Sequence, residues 1–214
     1  SAASDVYKRQ GFFSFSILFL SVYLVNAQKY ALDGTVQESL QAVFGIILMP
    51  ATIISLAGQY LLQPILNTMA NFYSTGEKKE FNKIVFRALL LIVAFGVLCL
   101  LGAYILGIPV LNILYSVDIS DYKTHLLIII FGAVLYSMST LLSAALTTVR
   151  YTFVQFIVFG ISSIIAFFLS RFLIVQYSIY GAALSYLITM TCQFGLYVII
   201  YFAIMKRIDF KEVV

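Results

Sequence analysis

Charge is scarce in this sequence: Asp, Glu, Lys and Arg make up 10% of 214 residues, against about a quarter in an ordinary soluble domain. Tryptophan is absent, proline occurs three times and histidine once. The two cysteines, Cys99 and Cys192, lie inside apolar runs where a thiol behaves as a small hydrophobe, so no disulfide framework is indicated. A lone His125 cannot assemble a metal cluster. No Asp or Glu falls within an apolar run; Asp33, Glu38, Asp118 and Asp121 lie in polar links, and so do Glu77, Glu80, Asp209 and Glu212. Acid–base or metal chemistry at membrane depth therefore has no carboxylate to use. No glycine-rich loop cradles phosphates, which argues against nucleotide hydrolysis. The expectation is a protein that is not an enzyme and needs no cofactor or metal.

What the chain has in abundance is apolar surface. With 62% hydrophobic residues and a mean hydropathy of +1.02, it holds more apolar surface than one water-facing domain can bury. The same composition excludes a disordered tail or a nucleic-acid-binding arm. The solvent is a bilayer. Six apolar segments recur at about 12–25, 40–62, 84–106, 126–146, 153–175 and 179–205, separated by brief polar links. None alternates every second residue as a barrel strand must, so the expected fold is all-α, a polytopic bundle of six transmembrane helices. Residues 1–10 read as a non-native leader resembling a translated sequencing adapter, which makes 11–214 the lobe proper and implies that the natural protein continues upstream.

The basic residues are asymmetric across alternate links. Lys78, Lys79, Lys83, Arg87, Arg150, Lys206, Arg207 and Lys211 fall on one side, and Lys29, Lys123 and Arg171 on the other. Eight against three places the C-terminus in the cytoplasm by the positive-inside rule.

Polar groups inside the apolar runs are the candidate functional residues. Ser55, Gln59, Gln63, Asn67 and Asn71 recur every fourth position and so share a slowly drifting helix face. Pro64 within this stripe removes a backbone donor and bends the helix. Such amides act either as interhelical hydrogen-bond glue or as the wall of a wet cavity, and five in register favour the cavity. A second polar face, Tyr136, Thr140, Ser143 and Thr147, ends at Arg150. Arg150 either snorkels to the interface or stands at the mouth of a cavity that admits an anionic head group. Lys29 breaks the charge asymmetry, as an interface anchor with Tyr30 or as a functional cation. Arg171 reads as a snorkelling anchor.

Several motifs, taken together and in order, resemble a known family. The run from Asn26 to Asp33 with its Lys29-Tyr30 pair, then Met49-Pro50, Gln63-Pro64, the stretch from Gly102 to Leu111 followed by Leu114-Tyr115, and the run from Tyr180 to Ala183 resemble oligosaccharide flippases of the polysaccharide-export type. These share a superfamily with multidrug and toxin extruders and the lipid II flippase. The resemblance covers about Phe13 to Ile204, and departs at Gln28, where Pro is expected before the Lys-Tyr pair. It implies the C-terminal lobe of a two-lobe transporter of twelve or more helices in a bacterial cytoplasmic membrane. It also implies a substrate of sugar repeat units joined by diphosphate to a polyprenol, for surface polysaccharide synthesis, moved by rocking one lobe against the other. The implied partners are that lipid-linked oligosaccharide, membrane lipid and the N-terminal lobe. Lys29, Gln59, Gln63, Asn67, Asn71 and Arg150 are then the candidate substrate contacts. A multidrug extruder of the same superfamily, a membrane acyl or glycosyl transferase and a purely structural subunit are the alternatives.

Overall fold

A computed structural model of the chain describes residues 2–210, with side-chain surroundings from Phe15 onward. The helices are α1 (Ala2–Leu32), α2 (Glu38–Ser74), α3 (Lys78–Gly102), α4 (Ile108–Tyr115), α5 (Lys123–Thr148) and α6 (Phe153–Arg207). A π-helical turn, Ala103–Gly107, splices α3 to α4, and a 3-10 turn, Ser120–Tyr122, leads into α5. No strand occurs among the described residues. The all-α expectation holds, and five helical elements are long and apolar enough to cross a membrane, α3 and α4 counting as one.

Several boundaries differ from the sequence reading, each for a local reason. α1 does not stop at 25 but runs to Leu32, because Ala27, Gln28, Ala31 and Leu32 suit a helix and the first left-handed residue is Gly34 at φ 68°. Lys29 therefore sits in the last helical turn rather than in a loop, where a cation complements the helix dipole. α2 continues through both Pro50 and Pro64 to Ser74, as membrane helices do where neighbours compensate a missing donor. The third span does not end at 106; the π turn carries it on to Tyr115, where Ser116 at φ 53° stops it. Residues 2–10, set apart by sequence as a leader, continue the backbone helix of α1. Lys211 and Glu212 lie outside the described residues.

α6 spans 55 residues, which as one straight rod would be about 80 Å long, far beyond a hydrocarbon core of about 30 Å. It does not run straight. Ser178 has φ 51° and ψ −131°, a conformation that costs a non-glycine residue about 1–3 kcal/mol, and it reverses the chain. The arms 153–177 and 179–207 lie side by side: Val158 and Tyr197, far apart along a rod, share one apolar cluster. Gly181 makes this return possible, since a β-carbon there would run into the Leu173 carbonyl group of the opposite arm.

The buried apolar residues form two clusters stacked along the bundle. One gathers Leu24, Phe44, Ile108, Leu126, Ile174, Ile179 and Tyr186. The other gathers Met69, Phe81, Leu146, Val149, Val158, Tyr201 and Phe210. The second cluster defines the basic end, where α2, α5 and α6 stop and α3 starts. There Lys78 Nζ donates to the Ile208 carbonyl at 2.6 Å, and Phe210 packs edge-on against Tyr73 and Phe81. At the far end His125 lies between the rings of Tyr122 and Tyr180, and the Lys123 ammonium stands 3.8 Å over the Tyr104 ring. The outer surface is apolar along most of its length, with Phe86, Leu91, Leu98, Ile105 and Ile113 exposed on the α3–α4 side. Such a surface is stable in lipid and not in water.

Candidate functional site

Between the two apolar clusters the bundle has a polar waist. α2 gives Ile54 to one cluster and Leu62 to the other, α5 gives Ala133 and Leu141, and the second arm of α6 gives Met190 and Tyr197. In the gaps lie Gln59, Ser139, Thr140 and Gln193, and these open into a cleft of about 360 Å³. Ser21 of α1, Tyr136 and Ser143 of α5, Gln155 of the first α6 arm and Tyr197 of the second complete its polar wall, beside Leu18 and Phe159. No Asp, Glu, Lys, Arg or His lines it among the described residues.

Several of the hydroxyl protons are committed inward, while those of Tyr136 and Ser143 are not, among the described residues. Ser139, Thr140 and Ser21 donate to the carbonyls of Leu135, Tyr136 and Leu18 at 2.9, 3.0 and 2.7 Å. Tyr197, fully buried, donates to Ser143 Oγ at 3.3 Å and so ties the α6 wall to the α5 wall. Thr147 donates to the Ser143 carbonyl and accepts from Gln155 Nε2 at the basic rim. Each such hydroxyl keeps acceptor capacity beside the proton it donates. Gln193 is 1% exposed and its Oε1 has no partner among the described residues, a deficit of about 1–3 kcal/mol that a polar guest or water can offset.

The six residues singled out by sequence do not converge. Gln59 lines the cleft. Gln63, Asn67 and Asn71 follow it along α2 and are exposed, pointing away from this bundle's interior. Lys29 is exposed at the far end of α1, and Arg150 is exposed in the link after α5 at the basic end. The α5 polar face does enter the site, through Tyr136, Thr140 and Ser143. Sequence reasoning missed Gln193 and its stripe Ser185, Thr189, Gln193 and Tyr197, all buried. The signal was available, since polar groups recur there every fourth residue within an apolar run.

Arg150 has an informative backbone. Its N–H donates to the Thr147 carbonyl and that of Tyr151 to the Leu146 carbonyl, both at 2.9 Å, a Schellman closure with Arg150 left-handed at φ 70°. The end of α2 closes in the same way through Gly76, which has φ 76°. Glycine is the usual residue at this position; arginine there costs about 1 kcal/mol, so it stands in this link against a backbone preference.

Two apolar grooves accompany the cleft. One, of about 660 Å³, runs between α1 and the first α6 arm and is lined by Phe15, Phe19, Tyr23, Gly160, Ile164 and Phe168. α1 and that arm thus present their Leu18, Ser21, Gln155 and Phe159 side to the polar cleft and the opposite side to this groove. The other, of about 420 Å³, lies where Met49 and Pro50 face the π turn.

No protein-family model, no curated protein and no solved structure matches this chain. The fold and site define its class alone: an all-helical, membrane-embedded protein with an uncharged polar cleft at its waist.

Proposed function

We propose that the chain is a six-crossing lobe of a polytopic membrane transporter that passes a polar-headed lipid, a polyprenyl-diphosphate-linked oligosaccharide, from the cytoplasmic to the outer leaflet. The six crossings follow from reading the two arms of α6 as separate spans, which the reversal at Ser178 supports. The basic end faces the cytoplasm in this reading, with Lys78, Arg150, Lys206 and Arg207 on that side.

One observation carries the proposal: a polar cleft and an apolar groove occupy opposite sides of the same α1–α6 pair. A lipid with a hydroxyl-rich head needs both surfaces at once, because its head loses water in bare hydrocarbon and its tail does not belong in water. The exposed amides Gln63, Asn67 and Asn71 extend a polar track that a second lobe would close. The missing wall belongs to the N-terminal lobe, and alternating access is a rocking of one lobe against the other.

The test is transport by the full-length parent in vesicles, read as accessibility of a lipid-linked sugar in the opposite leaflet. Transport is expected there and absent for this chain alone, which has one wall of the path. Robust flipping by the purified chain alone, or none by the parent, contradicts the reading. Single cysteines at positions 78 and 118, in a background lacking Cys99 and Cys192, test orientation. An impermeant reagent on intact cells is expected to label position 118 only.

A further inference from the structure

We propose that the cleft and its rim divide the ligand by charge. The cleft seats an uncharged hydroxyl-bearing ring, and the anionic part of the same molecule stays outside it at Arg150. This deepens the transporter reading and rests on it for the identity of the ligand, though not for the binding events themselves.

The donor and acceptor inventory of the cleft carries the argument. Ser21 and Thr140 direct their protons to backbone carbonyls, so they offer acceptors to a guest, and Tyr136 and Ser143 bring hydroxyls with uncommitted protons. Gln59 and Gln193 add carboxamides, which both donate and accept. A sugar hydroxyl, itself donor and acceptor, satisfies such a wall. A phosphate has only acceptors to offer. It would meet no cation, only the carboxamides and two neutral hydroxyls as donors, and burying its charge without a counter-charge is far more costly than burying a hydroxyl. The unpartnered Gln193 Oε1 adds a buried polar group whose hydrogen bond is still to be made.

The rim supplies what the cleft lacks. Gln155 belongs to the cleft wall and bonds to Thr147 across the four-residue link that carries Arg150. The guanidinium is exposed, and its backbone is fixed by two hydrogen bonds in a conformation that glycine would hold with less strain. A guanidinium in that place is suited to paired hydrogen bonds to phosphate oxygens. The ligand would therefore lie with its ring deeper than its phosphates, and the two contacts would be separable.

The experiment uses the full chain in lipid nanodiscs, with maltotriose and two other neutral trisaccharides as one set of probes and inorganic diphosphate as the other. Saturation-transfer NMR reads the sugars and phosphorus line width reads the diphosphate. Saturation transfer to at least one neutral trisaccharide is expected. It should fall at least fivefold in Thr140→Val with Gln193→Leu, survive in Thr140→Ser, and be unchanged by excess diphosphate or by Arg150→Gly. Diphosphate broadening should fall at least fivefold in Arg150→Gly and persist in the cleft variant. Competition between the two probes, loss of sugar binding in Arg150→Gly, or no transfer to any trisaccharide overturns the division. Circular dichroism of each variant separates loss of fold from loss of binding, and Thr140→Val alone, set against Thr140→Ser, keeps the test decisive if the double variant unfolds, unchanged transfer in a folded Thr140→Val counting against the cleft. If both probes bind as expected while the parent protein moves no lipid-linked sugar, the transporter reading fails and the division stands.

Discussion

The polar stripe of α2 and the polar face of α5 have the same composition of cause and opposite outcomes. Both recur at helical spacing, yet Gln63, Asn67 and Asn71 are exposed while Tyr136 and Thr140 are half-buried and Ser143 is buried in the waist. The spacings explain it. Each residue turns a helix by about 100°, so every step of four advances about 40°. The α2 series 55, 59, 63, 67, 71 takes only steps of four and sweeps about 160°, from half-buried Ser55 through cleft-lining Gln59 to the exposed side. The α5 series 136, 140, 143, 147 alternates four, three and four and stays within about 60°. A stripe that holds its bearing can line one site; a stripe that drifts serves two surfaces.

The largest expected effect breaks the cleft and spares the α2 stripe. Gly181→Ala forces a methyl group into the Leu173 carbonyl, separates the arms of α6 and removes Gln193 from the waist. A loss of roughly 4 kcal/mol or more is expected, since neither backbone can yield easily, read by thermal unfolding in nanodiscs. Retention of wild-type stability would refute the hairpin.

Gln193→Leu has a smaller effect in the opposite direction. Removing a buried carboxamide with an unpartnered oxygen is expected to raise stability by about 1 kcal/mol while weakening sugar binding. A loss of stability would mean that Gln193 already has its partner.

The two Schellman closures give a matched pair. Arg150→Gly is expected to gain about 0.5–1 kcal/mol and Gly76→Ala to lose about 1 kcal/mol, in the same unfolding assay. Equal responses would remove the argument that Arg150 is kept for its side chain.

Gln63→Leu with Asn67→Leu is expected to change this chain's stability by less than about 0.5 kcal/mol, as for exposed positions generally. Under the proposed two-lobe transporter, the same change in the longer protein is expected to abolish export with abundance retained. Loss of abundance with normal export per molecule would make these amides interhelical glue rather than a cavity wall.

The smallest effect is at Asp118, outside the spans, whose carboxyl is held below its usual range by the Ser120 hydroxyl and amide, with Asn112 helping. A depressed carboxylate stabilises the fold fully above the usual Asp range, and that contribution is lost as pH falls through the depressed value. Asp118→Asn should remove this small acid-side slope from the unfolding curve. An unchanged slope would show the turn to be indifferent to the charge.

Much of the fold was legible from apolar run length and from the sparse carboxylates, because hydrocarbon permits few alternatives to a helix. Link positions at 147–152 and 176–178 were legible too. Helix ends were less so: Pro64 and the polar run near Lys29 look like stops in water, whereas a bundle in lipid carries the backbone through them. The site was half legible. The α5 face and Gln59 could be read from periodicity, but which way a drifting stripe finally points depends on neighbours that only packing supplies. Gln193 was overlooked because one carboxamide among hydroxyls does not stand out until the α6 reversal brings it opposite Thr140.

The most direct measurement is the reaction rate of a single cysteine with iodoacetamide in membranes, in a background lacking Cys99 and Cys192. Reaction requires a thiolate and hence water at the sulfur. Thr140→Cys should react within about a hundredfold of a free thiol, and Phe44→Cys, in the dry far-end cluster, should be inert over the same period. If Thr140→Cys reacts no faster than Phe44→Cys, the waist is a packed core and the account of a wet, ligand-accepting cleft is wrong.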